Sequence, residues 1–181
     1  MLLTKYNEQA LDNIKTPDGK CKCCGRVLNL YKYRIAPSMV YLLNDMARIT
    51  QRRISVGQSN PRQVDLSDID RPYSIKAQTT KLRLHGLIAK VKEGKNQKRR
   101  TWIITKKGWV FLGGEPIWAQ VIVFNNTVLG HTDELVTLSQ VTGRADDYIA
   151  EPILEEDSRQ LVDLEGEEVK KKAIELGLVK E

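Results

Sequence analysis

The stretch from Ser74 to Leu112 constrains the fold more than any other part of the chain. It opens Ser-Ile-Lys-Ala-Gln-Thr-Thr-Lys-Leu-Arg-Leu-His-Gly, in which Ile75, Gln78 or Thr79, and Leu82 recur at helical spacing and Gly86 can take the positive φ of a helix end. Leu87 to Lys92 and Thr101 to Thr105 then read as two short strands. The loop between them carries Lys95, Lys98, Arg99 and Arg100. Thr105-Lys-Lys-Gly108 leads into Trp109-Val-Phe-Leu112, one more helical turn, and Gly113-Gly114 closes the unit.

The helix needs something to pack on, and the residues before it supply that. Pro37-Ser38 marks a helix start. Met39, Leu42, Leu43, Met46 and Ile49 follow at i, i+3, i+4, i+7 and i+10, one apolar face against which Leu82 can anchor. Thr50 to Arg62 reads as an irregular connector with Gly57 and Asn60-Pro61. Asp65 to Ile69 suits a short second helix, stopped before Arg71-Pro72, and the third helix spans about Ser74 to His85. Farther on, Trp118 to Phe124 and Thr127 to Leu129 flank Asn125-Asn126, the pattern of a hairpin with a two-residue turn. Leu135 to Val141 suits a strand or a helical turn equally. Residues 151–168 are dominated by carboxylates and read as solvated or partly disordered chain, and Val169 to Leu178 suits a terminal helix.

The charge is divided unevenly. Residues 1–114 hold 23 Lys/Arg against 8 Asp/Glu, and residues 115–181 hold 6 against 15, which sums to the formal net charge of +6. A basic body suits a polyanion such as nucleic acid, and an acidic tail does not. No apolar run approaches the roughly 20 residues that span a bilayer, and the first residues lack the pattern of a signal peptide. The expectation is a cytoplasmic chain with no membrane partner.

Basic excess, helix and cationic loop coincide as in a nucleic-acid footprint. Lys76, Thr80, Lys81 and Arg83 point away from the apolar side of the third helix and are residue types that meet phosphates and base edges. Lys95, Lys98, Arg99 and Arg100 would meet phosphates. Arg48, Arg52, Arg53 and Arg62 either extend this surface or solvate a loop. Trp102, Trp109 and Trp118 offer base stacking, but core packing is the commoner use of such residues. A charged, solvated face is the plain alternative, and docking on a protein is the functional one.

The segments Leu82-Arg-Leu-His-Gly-Leu-Ile88 and Trp102-Ile-Ile-Thr-Lys-Lys-Gly108 resemble winged-helix transcription regulators of the MarR type over roughly residues 37–112. That resemblance implies a recognition helix, its following strand, and a second wing strand ending in a Thr-x-x-Gly helix start. The chain has no counterpart of the long apolar terminal helices through which those regulators dimerise. Cys21-Lys-Cys-Cys-Gly-Arg-Val-Leu-Asn-Leu-Tyr-Lys-Tyr-Arg, Ile104 to Leu112 and Phe124-Asn-Asn-Thr-Val-Leu-Gly130 look like small bacteriophage proteins in which a Cys-x-x-Cys-Gly segment leads into such a winged helix. The fold class implied is α+β: a winged helix-turn-helix (37–114) with an N-terminal cysteine-knuckle segment (1–36), a C-terminal β-hairpin extension (115–150) and an acidic tail (151–181). The function implied is a DNA-binding phage or prophage regulator. The expected partner is double-stranded DNA. A host or phage protein is the alternative, and a second copy of the chain, as a homodimer, is a further candidate.

Three cysteines within four positions do not make a disulfide framework. Cys21 and Cys24, with Gly25 next, are one half of a zinc-ribbon site, whereas a structural zinc takes four ligands. His85, His131, a carboxylate or a second subunit would have to complete it. A metal-free knuckle and a redox pair are the other readings. The chain has no Walker loop, Gly-x-Ser-x-Gly or His-Glu-x-x-His, so no enzyme is expected.

Overall fold

The computed structural model describes residues 27–93, 96–144 and 165–179 together with Leu11, Ile14, Lys20, Cys21 and Gly25; at 92–93, 96–99 and 165–168 it describes the backbone alone. The chain is a mixed α+β protein with antiparallel sheets. It forms two compact units. A central unit comprises Ile35–Trp118 and Leu135–Leu161. A terminal unit comprises Met1–Arg34, Ala119–Glu134 and Val162–Glu181.

The central unit is organised around α1 (Pro37–Ser55), with Pro37 in the first turn, where its missing N–H costs nothing. Met39, Leu42, Leu43 and Met46 are buried as the periodicity requires, but so are Val40, Asn44, Ala47 and Thr50. The burial is wider than one stripe because α1 packs against several elements: β2 (Val64–Asp65), α2 (Tyr73–Lys76), α3 (Thr79–Leu84), β4 (Asn96–Ile104) and α5 (Leu138–Thr142). The helix also runs past Thr50, into the expected connector. Its last turn is tied down by Arg53, whose guanidinium donates to the Gln63 carbonyl and to Asp68 Oδ2 at 2.7 Å.

Between α1 and the basic helix, the expected second helix is a single 3-10 turn, Leu66–Asp68. Asp65 caps it by accepting from the Ser67 N–H at 2.8 Å, and Asp68 accepts from the Asp65 N–H at 3.2 Å. The expected third helix is divided into α2 and α3. Polar side chains compete for the carbonyls at the division: Gln78 Nε2 donates to Ser74 O and Thr79 Oγ1 donates to Lys76 O, while the Gln78 N–H takes Ile75 O in a tightened turn. Thr79, Leu82 and Leu84 are buried, and α3 ends at Gly86, whose φ of +73° is the left-handed value a helix stop needs.

β3 (Ile88–Glu93) and β2 lie on either side of β4 in an antiparallel sheet. The ladder between β3 and β4 is irregular. Lys90 pairs with Trp102 and Lys92 with Gln97, so Val91 alone stands opposite Lys98, Arg99, Arg100 and Thr101. The extra residues of β4 make a bulge in the ladder between Lys90 and Lys92. α4 (Lys106–Leu112) follows, and β5 (Ile117–Trp118) pairs with β8 (Leu135–Val136). Thr137 and Gln140 form a reciprocal cap at the start of α5, and Gly143 at φ +71° ends it. The ambiguous segment at Leu135 is thus a strand and then a helix.

In the terminal unit β1 (Tyr31–Arg34), β6 (Gln120–Phe124) and β7 (Thr127–His131) form a sheet in that order. Asn125 and Asn126 turn the β6–β7 hairpin with φ of +46° and +63°, as the two-residue loop demands. α6 (Glu165–Glu175) begins within the segment expected to be solvated, and Val169 and Ala173 bury with Leu11, Ile122, Phe124, Leu129 and Val179 in one core. Gly130 lets Val179 approach so closely that an added Cβ would lie 3.1 Å from the Val179 Cβ. Residues 151–164 lie outside the described residues.

Candidate nucleic-acid interface

The Thr-Lys-Lys-Gly segment shows how the basic helix is held. Thr105 Oγ1 accepts from the Gly108 N–H at 3.1 Å and donates to the Gly86 carbonyl at 2.6 Å. One hydroxyl therefore caps α4 and grips the end of α3. The Thr105 N–H adds a bond to Leu87 O at 3.0 Å. Gly108 is required by space rather than by φ: a Cβ there would stand 2.2 Å from Leu87 O and 2.8 Å from Ile104 Cγ2. The motif is thus the clasp that fixes the α3–β3 corner against α4.

Thr79, Leu82 and Leu84 commit α3 to the core, whereas α2 has no buried residue. Thr80 and Arg83 are exposed, and Lys76 and Lys81 are half-buried. These four expected contact residues therefore sit on one short helical segment, two fully outward and two at its flanks. Tyr73, 85% exposed, stands at the first position of α2. Neither charge nor apolar periodicity singles it out in the sequence. A local signal is present all the same, since Lys76 and Ala77 at i+3 and i+4 give Tyr73 no large apolar partner on its own side.

Three of the four cations expected in the loop are placed differently from the expectation. Lys98, Arg99 and Arg100 belong to β4 and lie in the bulge, not in a loop; Lys95 lies outside the described residues. A run of cations with no apolar alternation reads as loop, but the bulge accommodates it within the strand. Arg100 is exposed. Partial desolvation works to raise the Asp65 carboxyl, but hydrogen bonds from Ser67 and the charges of Arg100 and Arg53 outweigh it and hold the group below its ordinary value.

Other cations are divided between surface and scaffold. Arg48 and Arg52 are exposed, and Arg62 is half-buried. Arg53 is structural, through Gln63 and Asp68. Arg71 forks onto Asp45 of α1, which raises the arginine above its ordinary value. Trp102 and Trp109 are buried, so base stacking is closed to both, and the Lys90 ammonium lies 5.2 Å from the centroid of the Trp102 ring.

In the terminal unit Cys21 is buried, and the Gly25 N–H donates to Cys21 O at 2.7 Å with Gly25 at φ +69°. Cys24 lies outside the described residues. Among the described residues no group of three or more His, Cys, Asp or Glu side chains is placed to hold a metal ion, and no helix is long and apolar enough to cross a membrane. Comparison with protein families, with curated proteins and with solved structures found no match to this chain.

Proposed function

We propose that the central unit is a winged helix-turn-helix that binds duplex DNA, and that the chain is a transcriptional regulator of a phage or prophage. One observation carries the reading. The α2–α3 segment buries Thr79, Leu82 and Leu84 while it presents Thr80 and Arg83 outward with Lys76 and Lys81 at their side. A strand with three successive cations follows it. The order of elements supports it too: α1, β2, a 3-10 turn, α2–α3, then the β3–β4 ribbon with β4 between β2 and β3. On this reading the helix enters the major groove, and the bulged strand grips the backbone.

The test is affinity for random-sequence duplex DNA across a salt series, for the full chain and for a variant with Lys95, Lys98, Arg99 and Arg100 changed to Ala. The variant binds all sequences more weakly, and its slope of log affinity against log salt flattens by about one for each phosphate no longer neutralised. An unaltered slope removes the ribbon from the interface. For the terminal unit, Cys21 and Cys24 would be two of the four ligands that a structural zinc takes. Elemental analysis of the purified chain decides that point, and less than about a tenth of an equivalent rejects zinc.

A further inference from the structure

The outward face of α2–α3 carries a chemical division that the charge pattern alone does not reveal. Tyr73, Ser74, Ala77 and Thr80 are exposed and uncharged, the first two in α2, Ala77 at the division and Thr80 in α3. Lys76, Lys81 and Arg83 flank them. Tyr73 is a large ring left 85% exposed, and the backbone around it is hydrogen-bonded. Pro72 precedes it, the Ile75 and Lys76 N–H groups donate to Pro72 O at 3.0 and 3.2 Å, and the Ala77 N–H donates to Tyr73 O at 2.8 Å. Arg71, immediately before Pro72, is forked onto Asp45. A tyrosine has only two side-chain torsions to order on binding, which suits it as a binding anchor.

We infer that Tyr73, with Ser74 and Ala77 beside it at the start of this segment, takes part in base readout. The inference rests on the proposal that the central unit binds duplex DNA. A phenol offers an apolar ring to a thymine methyl and a hydroxyl to base-edge donors or acceptors. The Ala77 methyl matches a thymine methyl, and the Ser74 hydroxyl can donate or accept. Cations at phosphates fix register but carry no sequence information.

The experiment selects preferred duplexes from a random pool with the full-length protein. It then compares the selected duplex with a scrambled one for the wild type, Tyr73→Ala and Tyr73→Phe. Tyr73→Ala should bind the scrambled duplex like the wild type, with the same salt slope. Its preference for the selected duplex should fall roughly ten-fold, the scale of one mismatched base pair. Tyr73→Phe should keep the part of that preference due to the ring. An undiminished preference in Tyr73→Ala overturns the inference, and so does an equal weakening on both duplexes. A wild type that binds all duplexes alike also overturns it but leaves the DNA-binding proposal standing. A wild type that binds no duplex removes that proposal itself.

Discussion

Arg71 clasps Asp45 across 26 positions of sequence, Nε to Oδ2 at 2.6 Å and Nη2 to Oδ1 at 3.2 Å. This two-pronged interaction joins the segment before Pro72 to α1, and α2 starts immediately afterwards. A fork of this geometry fixes direction as well as distance, which a lysine in the same place would not do.

Removing that fork should loosen the helix start and not the core. In Arg71→Ala, amide hydrogen exchange at Ile75, Lys76 and Ala77 should quicken, while Leu42, Leu43 and Leu82 keep their protection. Arg71→Lys should recover only part of the effect. Unchanged exchange at residues 75–77 would show that Pro72 alone sets the helix.

The Thr105 clasp makes a sharper stability prediction. Gly108→Ala forces a methyl into Leu87 O and Ile104, and should cost roughly 3 kcal/mol. Thr105→Val, which removes the cap on Gly108 but keeps the shape, should cost about 1 kcal/mol. Urea unfolding midpoints give both values. A Gly108→Ala protein as stable as the wild type would mean that the α3–β3 corner is looser than described.

Asp65 sets an acid limit on the same region. Its folded carboxyl lies below the ordinary value of 3.8, against desolvation, through Ser67, Arg100 and Arg53. A lowered carboxyl stabilises the fold above the unfolded value and loses that contribution as pH falls through the folded one. Stability should therefore decline as pH drops below about 4. Asp65→Asn should show a smaller decline over that window, measured by thermal unfolding at several pH values. An identical pH profile in the two proteins would exclude Asp65 as a contributor.

Much of the fold is legible where its determinants are local. Asn125-Asn126 announces its hairpin because both residues tolerate positive φ, and Thr105 announces its helix because a hydroxyl caps the third N–H on. Gly86 and Pro37 mark their helix ends for equally local reasons. The extension of α1 to Ser55 is not legible, because its last turn is held by Arg53 through Gln63 and Asp68, residues beyond the helix. The bulge in β4 is hidden because Lys98, Arg99 and Arg100 have no apolar alternation to mark a strand. The terminal unit is least visible of all. Tyr31 pairs with Val123, and Arg34 forks onto Glu134 at a separation of 100 positions, so hairpin, N-terminal segment and α6 make one unit that a linear division keeps apart. In the candidate site, Thr80 and Arg83 emerge where spacing puts them, whereas Tyr73 escapes a reading based on charge because it carries none.

If the outer face of α2–α3 and the β3–β4 ribbon meet DNA, the protein's own amides should report it. Amide chemical-shift mapping during titration of the full chain with duplex DNA is the decisive measurement. Shifts should concentrate in residues 73–84 and 96–104 and weaken as salt rises, with β6 and β7 largely unmoved. Shifts confined to β1, β6 and β7, or none at all at low salt, would refute DNA binding through this face.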